Sequence, residues 1–228
     1  MTLRTNARIA GITFLLYIAV GIGQMVLGSA TRAESTVQKL TLMAQHAPEV
    51  RVGILLSMLI CVTALVLAVA LYAITRDVDR DLAVLALSCR VGESLLTVIA
   101  PMATLGLLWL ATTRSGADAP DPAAAQALGS VLLQVRVWNT NITATLFAVG
   151  STLFSWLLLR GRLIPAPLAW LGVVASVLLA VGLPLELAGF VDGSVTQLLW
   201  LPMAAFEIPL GLWLIFKGVA TPAARQTA

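Results

Sequence analysis

Charge is scarce in this sequence. Only 11% of its 228 residues are Asp, Glu, Lys or Arg, against about one quarter in an ordinary soluble domain. A water-facing surface cannot be built from so few charges, and the long uncharged runs exclude a soluble globule. Histidine is nearly absent: His46 stands alone, in a loop, and no HExxH metal motif exists. Neither of the two cysteines, Cys61 and Cys89, belongs to a CxxC pair. Both fall in apolar runs, which argues against a disulfide framework. No GxSxG elbow and no P-loop appears. Without a nucleophile–base pair, an intramembrane enzyme is the weakest functional class, and no catalytic residue, metal or cofactor is expected. The +3 formal charge comes from scattered arginines with no aromatic interleaving, so no nucleic-acid partner is expected.

What is present is apolar length. Hydrophobic residues make up 59% of the chain and mean hydropathy is +0.96. Runs of about 20 apolar residues mark membrane-crossing helices. Six are predicted, over 9–28, 52–75, 82–112, 127–159, 167–190 and 194–216. The first follows Arg4 and Arg8 and precedes "GSA", as in a secretory signal. Its apolar run exceeds the usual h-region of about 7–15 residues, so a retained span is expected. The fold class is therefore all-α: one multi-pass membrane domain, 1–228, with the lipid bilayer as its solvent. "NIT" at Asn141 lies inside a span and is not taken as a glycosylation site.

The connection 29–51 is the longest. Val37, Leu40, Ala44 and Ala47 recur there at helical spacing beside Glu34, Gln38, Lys39 and Gln45. A short interfacial amphipathic helix is expected, ended by Pro48. Orientation follows the Lys/Arg asymmetry of short loops. One side carries Arg4, Arg8, Arg76, Arg80, Arg160, Arg162, Lys217 and Arg225. The other carries Arg32, Lys39, Arg51 and Arg114 with most of the loop acids. The richer side is expected to be cytoplasmic, with both termini on it, in a bacterial cytoplasmic membrane.

Ionisable residues inside spans are functional candidates by default. At about 1.5 Å per residue, Arg90 and Glu93 lie roughly 13 and 18 Å from the cytoplasmic end of their span. Glu207 lies roughly 15 Å from its own. In a hydrocarbon core about 30 Å thick, all three share the midplane. Arg90 and Glu93, in the stretch "CRVGES", are spaced to be neighbours on one helix. One cation then faces two carboxylates. Either one carboxyl holds a proton or a further cation occupies the site. These three are the candidate substrate- or ion-binding residues. Nearer the outer boundary lie Gln24, Arg136, Asn139, Glu186 and Gln197, candidates for a polar outer vestibule or for helix–helix contacts. Pro101, Pro184, Pro202 and Pro209 fall within the spans, where simple kinks are expected.

Three segments carry a family resemblance. They are "ARIAGITFLLYIAVGI" near the N-terminus, "LIPAPLAWLGV" between spans four and five, and "FEIPLGLWLIFKGV" at the end. With Arg90 in span three, they resemble the bacterial multi-pass membrane family catalogued as domain of unknown function four-three-eight-six. The resemblance covers nearly the whole chain. It implies a bacterial multi-pass protein, gives weight to Arg90 and Glu207, and supplies no activity. Family members often carry a histidine in the fourth span, where this chain reads "FAVGSTLFSW"; a role resting on that histidine does not transfer. Two functions fit the residues: transport of a small solute or a proton- or cation-coupled carrier, or a non-transporting sensor or partner-binding membrane protein in which the cluster is a structural bridge.

Overall fold

A computed structural model describes residues 2–113 and 120–220. These residues form eight helices and, among themselves, no strand: α1 (Leu3–Ser29), α2 (Thr36–Gln45), α3 (Ala47–Thr75), α4 (Arg80–Leu96), α5 (Ile99–Thr112), α6 (Pro122–Arg160), α7 (Ala166–Leu187) and α8 (Gly193–Phe216). With α4 and α5 taken as one interrupted span, six are long and apolar enough to cross a membrane. The expected spans are all present, with some boundaries shifted. α1, α3 and α6 start five or six residues earlier than their hydropathy. Polar residues can extend a helix beyond the hydrocarbon, and hydropathy registers only the apolar part. α7 stops at Leu187 rather than 190. Gly189, at φ +79°, forms the left-handed stop, and the Phe190 amide returns to the Leu185 carbonyl at 2.9 Å.

Two prolines act differently from expectation. Pro48 does not end the amphipathic helix. It lies in the first turn of α3, where a missing amide costs nothing because that turn has no intrahelical acceptor. The break falls at His46 instead, whose φ of −108° and ψ of 35° leave the helical region. Pro101 does more than kink. It removes the donor that would bond the Thr97 carbonyl four residues back, and the third span is broken at Thr97–Val98, between α4 and α5. α7 and α8 run unbroken through Pro184, Pro202 and Pro209.

Polarity is inverted relative to a soluble protein. Leu55, Met102, Leu198 and Phe216 are each more than 60% exposed, while Arg90, Glu93 and Glu207 are buried. An apolar outside and charged residues inside are what lipid as solvent requires.

The chain divides into two compact units. The first comprises the described parts of Met1–Tyr17, Val62–Leu95 and Asn141–Ala228. Its core gathers Phe14, Leu67, Phe147, Leu157, Leu179, Phe206 and Leu214. Small residues let its helices approach closely. A Cβ on Gly11 would stand 2.5 Å from the Gly211 carbonyl oxygen, so α1 and α8 meet backbone to backbone. The second unit comprises Ile18–Cys61 and the described parts of Leu96–Thr140. Its core joins Leu40 and Met43 of α2 to Leu107, Leu108, Leu110 and Ala111 of α5. Thus the connection 29–51 is not a free loop, and α2 packs its apolar face into the unit. Ser35 caps α2, its side chain accepting from the Gln38 amide.

Candidate functional site

The cluster of Arg90, Glu93 and Glu207 lies wholly within the first unit. Each helix delivers its residues by its own buried stripe. On α4 the buried positions are Ala83, Ala86, Arg90, Glu93 and Ser94, a helical repeat that turns Arg90 and Glu93 to the same inward face. On α8 they include Met203, Phe206, Glu207, Leu210 and Leu214. Glu207 is therefore inside because its helix face is inside.

Arg90 is 2% exposed. Its Nη1 lies 2.8 Å from Glu93 Oε2. The contact is close but skewed, an ion pair rather than an aligned hydrogen bond. The guanidinium carbon sits 4.6 Å from the centre of the Phe147 ring, a cation–π contact. Phe147 in turn lies against Trp200, ring centres 5.7 Å apart. The arginine stem runs across Gly150 of α6, where a Cβ would come within 2.9 Å of Arg90 Cγ. Tyr17 of α1 points its hydroxyl at Glu93 Oε1, 3.4 Å away.

Glu207 stands differently. It is buried within electrostatic reach of both Arg90 and Glu93. Yet its Oε1 has no hydrogen-bond partner among the described residues, and no ion pair there joins it to Arg90. The bridge is thus internal to α4 and does not tie α4 to α8. A crevice with room for about one water opens in the same unit, lined by Ser151 and Ser155 of α6 with Phe14 and Phe206. Ser151 directly follows Gly150, the residue under Arg90.

The outer candidates separate by unit. In the first, Glu186 accepts a short hydrogen bond from Thr196, fastening the end of α7 to the start of α8, and Gln197 is exposed. In the second, Gln24 donates to the Gly53 carbonyl at 3.2 Å and to Ser57 Oγ, holding α1 to α3. Asn139 is buried. Arg136 is half-buried, and its Nε is fully buried without a hydrogen-bond partner among the described residues.

Composition and spacing did not reveal Tyr17, Phe147, Gly150 or the two serines. Tyr17 is one of only two tyrosines and the only one in the first span, which was the available signal. Phe147 and Gly150 fall in "FAVGSTLFSW", a stretch that draws notice only for its missing histidine. Among the described residues, no three His, Cys, Asp or Glu side chains gather as metal ligands.

No curated protein and no solved structure matches the chain. One family does, over residues 9–218, which takes in all six spans and every residue of the cluster. This multi-pass membrane protein belongs to the family described as Domain of unknown function (DUF4386).

Proposed function

We propose that the protein is a small membrane carrier in which Glu207 holds an exchangeable proton or monovalent cation at the midplane. In this reading it resides in a bacterial cytoplasmic membrane with both termini inside, as the loop arginines favour. One observation carries the proposal. Arg90 already has its carboxylate in Glu93 at 2.8 Å, while Glu207 is buried beside them with an unpartnered oxygen. A second charged carboxylate at that depth, left alone, costs about 2.5–3.5 kcal/mol. A proton or a bound cation removes that cost, and its reversible departure supplies the coupling of a secondary carrier. Arg90 then has two roles: it neutralises Glu93, and it repels a bound cation enough to keep the site from becoming a trap. A purely structural bridge, as in a sensor, needs Glu93 but gives no reason to bury Glu207.

Vesicles carrying the purified full chain test this. With a proton or sodium gradient imposed and followed by an internal dye, wild type should dissipate one of the two faster than protein-free vesicles. Glu207→Gln should fall to the protein-free rate. Equal decay in wild type and Glu207→Gln would contradict the proposal.

A further inference from the structure

In the second unit three cations come from neighbouring elements: Arg32 just before α2, Lys39 on α2 and Arg136 on α6. There α2 lies on α6: Thr36 Oγ1 is 3.1 Å from Ser130 Oγ, and a Cβ on Gly129 would touch Thr36 and Leu40. Two turns on from Gly129 along α6 comes Arg136, on the same face by the i, i+7 repeat. Lys39 sits between Thr36 and Leu40 on the facing element. It lies close enough to Arg136 and to Arg32 to feel both: burial lowers the Lys39 pKa first, and the two guanidiniums lower it further.

Among the described residues, none of these three cations forms an ion pair within 4.0 Å. Of the described acids of this unit, Glu34 is exposed, Glu49 is turned to His46 at 3.4 Å, and Asp121 accepts from the Ala123 and Ala124 amides at the start of α6. Arg136 could escape by stretching toward water, yet its Nε is fully enclosed without a partner. Like charges drawn together where α2 packs on α6, one with an orphaned buried donor, are relieved by an anion between them. Guanidinium and ammonium donors in this combination suit phosphate oxygens, the guanidinium by a two-point contact and the ammonium as a point charge.

We propose that Arg136, Lys39 and Arg32 form a site for a phosphate-bearing anion. The chemistry is shared by an anionic lipid headgroup and by a soluble phosphate.

The test is thermal unfolding of the purified full chain in detergent, titrated separately with phosphatidylglycerol, phosphatidylcholine and inorganic phosphate. Phosphatidylglycerol or phosphate should raise Tm in a saturable way, and phosphatidylcholine should not. Response to the lipid alone assigns the headgroup as the source; response to phosphate alone assigns a soluble ligand. Arg136→Gln and Lys39→Gln should each weaken the responding ligand about tenfold, the loss expected for one charge-assisted contact. Arg76→Gln, an exposed cation beside Asp77, should leave it unchanged. If Arg136→Gln does not fold, Lys39→Gln decides the same question, since its side chain is only partly buried. Absence of any Tm rise with both anions, or a rise that survives both substitutions undiminished, overturns the site.

Discussion

Two arginines interrupt the apolar spans, Arg90 in α4 and Arg136 in α6. Arg90 is enclosed by its own unit: a carboxylate at 2.8 Å, an aromatic face at 4.6 Å and a glycine under its stem. Among the described residues Arg136 forms no ion pair within 4.0 Å, and Lys39, on which its charge acts, is another cation. The same residue type, placed in lipid, is thus handled in two ways. Around Arg90 the first unit supplies a carboxylate and an aromatic face of its own, although the Arg90 Nε has no hydrogen-bond partner among the described residues. Arg136, in the site proposed above, takes its partner from outside the chain. The surplus in each place has opposite sign: a carboxylate too many around Arg90, and cations too many around Arg136.

The largest effect should come from removing Arg90. Arg90→Leu leaves Glu93 and Glu207 buried without a cation and should cost about 3–5 kcal/mol, read as loss of folded protein in denaturation. Arg90→Leu with Glu93→Leu should regain most of it, since a buried pair replaced by packed apolar residues is often neutral. A tolerated single substitution would erase the contrast with Arg136. Gly150→Ala comes next. The added methyl meets Arg90 Cγ at 2.9 Å and the Ala86 carbonyl at 3.3 Å, and the crowding should cost about 1–3 kcal/mol. In an Arg90→Ala background the same change should cost less, because the two sites share a contact. Arg136→Gln should be mildest, under about 1 kcal/mol without added anion, since no ion-pair partner among the described residues is lost. A penalty as large as that of Arg90→Leu would show a hidden partner and end the comparison.

Fold and site were legible to different degrees. Six spans followed from composition, because lipid imposes length and apolarity on every crossing helix. The prolines were less legible. Pro48 and Pro101 look alike in the sequence, yet one opens a helix and the other breaks a span. The difference is whether an amide was needed at that position, and that depends on where the helix begins. Arg90, Glu93 and Glu207 stood out because charge in a span has few explanations. Phe147 did not, since a phenylalanine in an apolar run is ordinary until an arginine is found over its ring. The pairing of Glu93 rather than Glu207 with Arg90 was beyond depth counting, which gives a level and no azimuth. Arg136 was visible as a polar residue near the boundary. Its kinship with Lys39 depends on α2 folding back onto α6, which no spacing predicts.

Exchange of a proton or cation at Glu207 is read most directly by infrared difference spectroscopy of the lipid-embedded full chain. Recorded as pH or sodium concentration is stepped, the spectrum reports carboxyl protonation and ligation. A carboxyl signal should respond to one of the two, disappear in Glu207→Gln and persist in Glu186→Gln. A spectrum that responds to neither, or whose response survives in Glu207→Gln, would contradict exchange at this residue.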